Sequence, residues 1–132
     1  MRLMIDGMNV IGSRPDGWWR DRAGAMRRLI AALDQYGRET GDEVTVVLDS
    51  RPFPLDDAAG AVAVRFAPGG RNAADDEIVR IVELDAAPEQ LRVVTSDKDL
   101  VARVGALGAL VIPAGEFRAE LDRFGLGPPR TG

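Results

Sequence analysis

Residues 2–11 read Arg2-Leu3-Met4-Ile5-Asp6-Gly7-Met8-Asn9-Val10-Ile11. The run Arg2–Asp6 predicts a strand, because uninterrupted apolar side chains suit a strand covered on both faces. It ends on an acid, and Gly7 permits a tight exit. Working outward, similar short runs recur at Val44–Asp49, Ala61–Phe66, Arg92–Ser96 and Ala109–Ile112, the last stopped by Pro113. Helical spacings lie between them. Residues 20–37 set Ala23, Met26, Leu29, Ile30 and Leu33 three and four apart, with Gly37 or Gly41 as the stop. Residues 73–86 carry Ile78, Val79, Val82 and Leu84 behind Asn72 as N-cap. Leu100, Val101, Val104 and Leu107 give a third apolar face, stopped at Gly105–Gly108, and Phe117, Leu121 and Phe124 a fourth. Strands alternating with helices predict an α/β fold with a mostly parallel five-stranded sheet and right-handed crossovers. One domain is expected over residues 1–124, with a glycine- and proline-rich tail at 125–132 that frays.

Composition narrows the chemistry. A chain of 132 residues, 45% apolar, suits a single globular domain. No apolar stretch approaches the roughly 18 residues of a membrane span, and an acid at position 6 fits no signal peptide. A cytoplasmic protein with no membrane partner is the expectation. There is no cysteine and no histidine, which removes thiol chemistry, Ser-His-Asp hydrolysis, histidine-based ribonuclease chemistry and His-ligated zinc. Catalysis would rest on carboxylates, arginines, Lys98, Tyr36 or a bound ion. The net charge of −4 disfavours a nucleic-acid partner taken alone. A site that concentrates carboxylates lowers net charge, however, and divalent cations would return it.

The acids fall in a pattern. Asp6 ends the first strand, Asp49 the second, and Asp97 follows the fourth, so a parallel sheet carries all three on its carboxyl edge. Asp75 and Asp76 open the helix after strand three and return to the same edge. Oxygen-only ligands suit Mg²⁺ or Mn²⁺, ions that support in-line phosphoryl displacement. Each acid also has an ordinary role: Asp97 as a helix cap, Asp75 and Asp76 as first-turn acids favoured by the helix dipole. Asn9 could turn its amide to the site or close an Asx turn. In Thr95-Ser96-Asp97-Lys98-Asp99 the hydroxyls could orient a ligand or a substrate phosphate, and Asp99 could support the site or face solvent.

These segments resemble a known group. Asp6-Gly7-Met8-Asn9-Val10-Ile11, Val47-Leu48-Asp49, Asn72-Ala73-Ala74-Asp75-Asp76-Glu77-Ile78 and Val94-Thr95-Ser96-Asp97 look like the successive motifs of NYN domains, PIN-like metal-dependent ribonucleases, and of their YacP-like branch. The resemblance spans about residues 2–112. It implies a PIN-like Rossmannoid three-layer sandwich, Mg²⁺ or Mn²⁺ at the sheet edge, and cleavage of single-stranded RNA. Carried over by motif, Asp6, Asn9, Asp75, Asp76 and Asp97 match best and Asp49 also matches. Asp6, Asn9, Asp75 and Asp97 are the catalytic candidates, and Asp6, Asp49, Asp75, Asp76 and Asp97 the metal set. Asp99, without an equivalent in the family's motifs, joins that set from its own position two residues past Asp97. A homodimer and the ribosome association known for that branch are left open.

The substrate side is read from loops. Arg14, Trp18, Trp19, Arg20 and Arg22 follow strand one, Arg51 follows Asp49, Arg71 precedes Asn72, and Ser96 and Lys98 flank Asp97. Cations interleaved with aromatics suit single-stranded nucleic acid; Arg14, Trp18, Arg20, Arg51, Arg71, Ser96 and Lys98 are the expected contacts. The tryptophans could instead fill the core, and the sequence does not say which of the two does. Other α/β phosphate chemistries fail on spacing: Met8 stands where a haloacid-dehalogenase-type phosphatase needs an acid, and no Gly-rich phosphate loop is present. The competing class is a non-catalytic RNA-binding or adaptor domain on the same fold.

Overall fold

The structure, a computed structural model, describes residues 1–13, 17–49, 61–67 and 73–123. Five strands, β1 (Arg2–Asp6), β2 (Glu43–Asp49), β3 (Val62–Ala67), β4 (Leu91–Val94) and β5 (Leu110–Ile112), form one sheet in the order β3-β2-β1-β4-β5. Every pairing is parallel. Five helices join them: α1 (Gly7–Gly12), α2 (Arg22–Thr40), α3 (Ala73–Leu84), α4 (Lys98–Ala106) and α5 (Ala114–Arg123).

Alternation along the strands makes the layers. Leu3, Ile5, Val44, Val46 and Leu48 face a core shared with α1, α2 and α5. Met4, Val47 and Val93 face the opposite way, onto α3 and α4. Neighbouring residues of one strand thus serve two cores, which is why the strands read as unbroken apolar runs. The three-layer sandwich is the expected one.

The chain runs outward from β1 to β2 and β3, then returns to lay β4 and β5 on the other side. The strand order therefore reverses between β1 and β4, and the carboxyl ends of strands at such a reversal are where α/β sheets open a crevice. Asp6 ends β1, and Thr95-Ser96-Asp97 follows β4. At the opposite edge, Arg2 holds Asp85 through two bonds of 2.6 and 3.0 Å, tying the start of β1 to the end of α3.

The differences from expectation are local. β4 stops at Val94, and just beyond it Thr95 and Ser96 turn their hydroxyls to Asp6 and to the Ala114 N–H. α2 runs through Gly37 and ends at Gly41, whose φ of 75° closes it with an N–H bond to Gly37 O. α1, a turn of helix starting at Gly7, has no counterpart in the apolar spacing. A Cβ at Gly7 would stand 2.4 Å from Leu48 Cδ2 and 3.0 Å from the Val47 carbonyl, so the helix starts hard against β2. The proposed N-cap Asn72, Phe124 and the tail at 125–132 lie outside the described residues. Among the described residues, no helix is long and apolar enough to cross a membrane.

Candidate functional site

Asp6 is 4% exposed, one of two buried polar residues among the described residues. Its carboxylate is held from the neighbouring strand's exit: Thr95 Oγ1 donates to Asp6 Oδ2 at 2.9 Å. Thr95 is fully buried, and its hydroxyl oxygen accepts the Asp97 N–H at 3.1 Å. One hydroxyl thus links the side chain of one acid to the backbone of another. Asp97 caps α4, with Oδ1 accepting from the Asp99 and Leu100 amides at 2.9 and 3.2 Å. The ordinary role for Asp97 is therefore filled through a single oxygen.

Asn9, on α1, crosses the same gap. Its Oδ1 accepts the Ser96 N–H at 2.7 Å. Ser96 in turn uses its hydroxyl to accept the Ala114 N–H at 2.8 Å, at the start of α5. Thr95, Ser96 and Asn9 fix the geometry where β1 and β4 end, and Thr95 owes this to a position from which its hydroxyl reaches two partners. Sequence reading marked Thr95 only as a hydroxyl that could orient a ligand.

Electrostatics brings a third acid into the group. Burial raises the Asp6 carboxyl to about 6; the Thr95 bond opposes this, Asp75 raises it further, the Asn9 backbone N–H opposes, and Asp97 again raises it. Asp75, half-buried in the first turn of α3, is also raised, by burial first and then by Asp97, against a lowering by Arg103, with Asp76 and Asp99 adding to the rise. Asp6, at the end of β1, thus feels the charges of Asp75 on α3 and Asp97 at the head of α4, and Asp75 feels that of Asp97. Like charges so placed resist joint ionisation unless a cation intervenes.

The other acids are placed differently. Asp49 lies two residues beyond Val47, the partner of Asp6 in the sheet register. It is turned to Arg22 at 3.4 Å, and does not figure among the charges acting on Asp6 or Asp75. Asp76 is exposed and paired with Arg103 at 3.0 Å across α3 and α4. Asp99 is exposed on α4, and its charge reaches Asp75. Arg103, on none of the motifs, is the cation that acts on this group. Its signal in sequence is absent, since only the packing of α3 on α4 brings it there.

The substrate candidates divide as well. Arg14, Arg51 and Arg71 lie outside the described residues. Lys98 is exposed beside Asp97. Trp18 packs against the core beneath α2, whereas Trp19 is 58% exposed with the Arg20 guanidinium 5.9 Å from its ring centroid. The ring open to solvent is therefore Trp19.

All the converging donors are carboxylate oxygens, the chemistry that suits a hard divalent ion. Among the described residues, no three acids stand close enough, as placed, to hold one ion between them.

The pattern of the YacP-like NYN domain matches residues 3–125. The chain belongs to that family. YacP-like NYN domains are a nuclease fold, and the solved structures agree with the assignment. A crystal structure of Rae1 (YacP) from Bacillus subtilis, a tryptophan-to-leucine mutant, is 27% identical, with a TM-score of 0.78 over 94% of this chain and 76% of that one. A second Rae1 (YacP) structure from the same organism is 26% identical, with a TM-score of 0.77 over 95% and 75%. No curated protein matches the chain.

Proposed function

We propose that this YacP-like NYN domain is a metal-dependent endoribonuclease that hydrolyses phosphodiester bonds of single-stranded RNA. The observation that carries the reading is the buried Asp6 carboxyl at the strand-order reversal, bonded by Thr95 and raised to about 6 by burial first and then by the charges of Asp75 and Asp97. Such a cluster is costly to a fold that has no use for it. Mg²⁺ or Mn²⁺ would be held by Asp6, Asp75 and Asp97, with Asp76 and Asp99 adding negative field and Asp49 one strand away. A divalent ion there supplies water activation and stabilises charge on the phosphate oxygens.

The chain's own residues set the stage. Thr95 holds the Asp6 carboxylate in one orientation, and Asn9 ties α1 to the Ser96 amide beside it. Asp97 keeps Oδ1 on the α4 amides, so its second oxygen would be the one to ligate. Asp75, on the first turn of a helix, closes on the site by side-chain rotation. Water adds to phosphorus, the P–O3′ bond breaks and the 3′ oxygen leaves with a proton, giving 5′-phosphate and 3′-hydroxyl ends. Lys98 and Ser96, both exposed beside Asp97, are the groups this reading assigns to the substrate backbone.

A second reading, a non-catalytic RNA-binding or adaptor domain, draws on the acids as they stand: among the described residues no three close on an ion, and Asp49 and Asp76 are already paired with arginines. Incubation with labelled single-stranded RNA and DNA in Mg²⁺, Mn²⁺ or EDTA, beside Asp6→Asn, separates the two. Divalent-dependent cleavage lost in Asp6→Asn supports the nuclease. RNA binding without cleavage under any condition supports the adaptor.

A further inference from the structure

Trp19 is an unusual place to leave an indole. It is 58% exposed, and it stands on a one-turn 3-10 helix, Trp18–Arg20, that leads into α2. The turn is anchored on both sides. Gly17 enters it at a φ of 77°, where a side chain would be strained, and Asp21 leaves it by accepting the Gly24 N–H at 3.0 Å. Trp18 packs its ring on the core and meets Trp19 edge to face, with centroids 6.1 Å apart and planes at 87°. The Trp19 ring is thus buttressed from the protein side by another ring, and little conformational freedom remains to be lost on contact.

Its place relative to the acids is set by Arg22. That residue opens α2 and reaches Asp49, at the carboxyl end of β2, next to the strand that ends in Asp6. The Trp18–Arg20 turn therefore belongs to the rim of the same sheet edge. Arg20 adds a cation 5.9 Å from the Trp19 ring centroid, on a long side chain able to leave the ring for a phosphate or to stack on a base. An open indole with a mobile guanidinium is the pairing by which unpaired nucleotides are held without sequence preference.

We propose that Trp19, with Arg20, is a stacking platform for an unpaired nucleobase of the RNA substrate; this rests on the ribonuclease reading above. It commits that reading to single strands, since a base within a duplex offers no free face to the ring.

The test uses the full chain carrying Asp6→Asn in EDTA, so that RNA stays intact. A labelled single-stranded RNA of about ten nucleotides, within the span of one binding groove, and a duplex of equal length are titrated by anisotropy while tryptophan emission is followed. Saturable quenching by the single strand is expected, and Trp19→Phe should remove most of the quenching while keeping most of the affinity. Trp19→Ala should weaken single-strand binding about tenfold and leave duplex binding unchanged. Circular dichroism on each variant establishes that the fold is retained. Single-strand binding that is equally tight in Trp19→Ala overturns the platform alone. No RNA binding by any form overturns both the platform and the reading beneath it. Concentration-dependent self-association abolished by Trp19→Ala would assign the ring to a protein contact and overturn the platform too. RNA binding that depends on Trp19, together with no cleavage by the unsubstituted chain in Mg²⁺ or Mn²⁺, upholds the platform and sinks the nuclease.

Discussion

The Thr95 hydroxyl donates to Asp6 Oδ2 at 2.9 Å and accepts the Asp97 amide at 3.1 Å, so two acids 91 residues apart share a single orienting group. Both bonds are buried or partly so, where an unpaired polar group is expensive. Replacing Thr95 by valine preserves shape and removes both bonds. Thr95→Val is expected to lose about 1–3 kcal/mol of stability and to lower divalent-dependent RNA cleavage about 10–100-fold, the usual cost of losing a partner that orients a ligand. Thr95→Ser should recover most of each. Thermal denaturation and initial rates on the three proteins check it.

Asp6 gives a pH prediction whose sign follows from its raised proton affinity. A carboxyl that rises from 3.8 to about 6 on folding binds its proton more tightly in the folded state. That contribution is fully present below about pH 4 and lost as pH rises through 6, at about 3 kcal/mol in all. In EDTA, the Asp6 contribution to stability should therefore fall between pH 4 and 6. Asp6→Asn should abolish that fall and be the more stable protein at pH 7. Denaturant titrations of both proteins across this window measure the difference.

The three coupled acids should separate from the two paired ones. Asparagine at 6, 75 or 97 removes charge at nearly constant shape, and at 97 it still caps a helix well. Each is expected to cut cleavage by about two orders of magnitude, comparable to losing one charge-stabilising group. Asp49→Asn breaks a half-exposed pair with Arg22, worth at most about 1 kcal/mol, and should change cleavage by less than about fivefold. Equal losses at Asp49 and Asp75 would return Asp49 to the centre of the site.

Gly7 should not accept a side chain. A Cβ there meets Leu48 and the Val47 carbonyl at once, and the carbonyl is backbone that cannot step aside. Gly7→Ala is expected to cost about 1–3 kcal/mol by overpacking, and to shift Asn9 with α1. Thermal melting with and without Mn²⁺ measures both effects.

What the sequence discloses follows from what it can encode locally. Strands buried on two faces write continuous apolar runs, and acids at their ends mark the carboxyl edge, so the sheet and the Asp6, Asp75 and Asp97 grouping are legible in it. α1 is not, since Gly7, Asn9 and Gly12 hide an apolar spacing within six residues. Asp49 reads like Asp6 in sequence but ends its strand two residues further along the register, beside Arg22. Arg103 and the roles of Thr95 depend on packing between distant elements, and Trp18 and Trp19 differ only in which one turns to the core. No spacing rule records these.

The most direct measurement is the cleavage of labelled single-stranded RNA by the purified chain, with Mn²⁺ or Mg²⁺ against EDTA, and with Asp6→Asn alongside. Cleavage that needs the divalent ion, ends in 5′-phosphate and 3′-hydroxyl termini, and falls about 100-fold or more in Asp6→Asn is the expected result. Cleavage at the same rate in EDTA, or an undiminished rate in Asp6→Asn, would contradict a metal-centred site built on the coupled carboxylates.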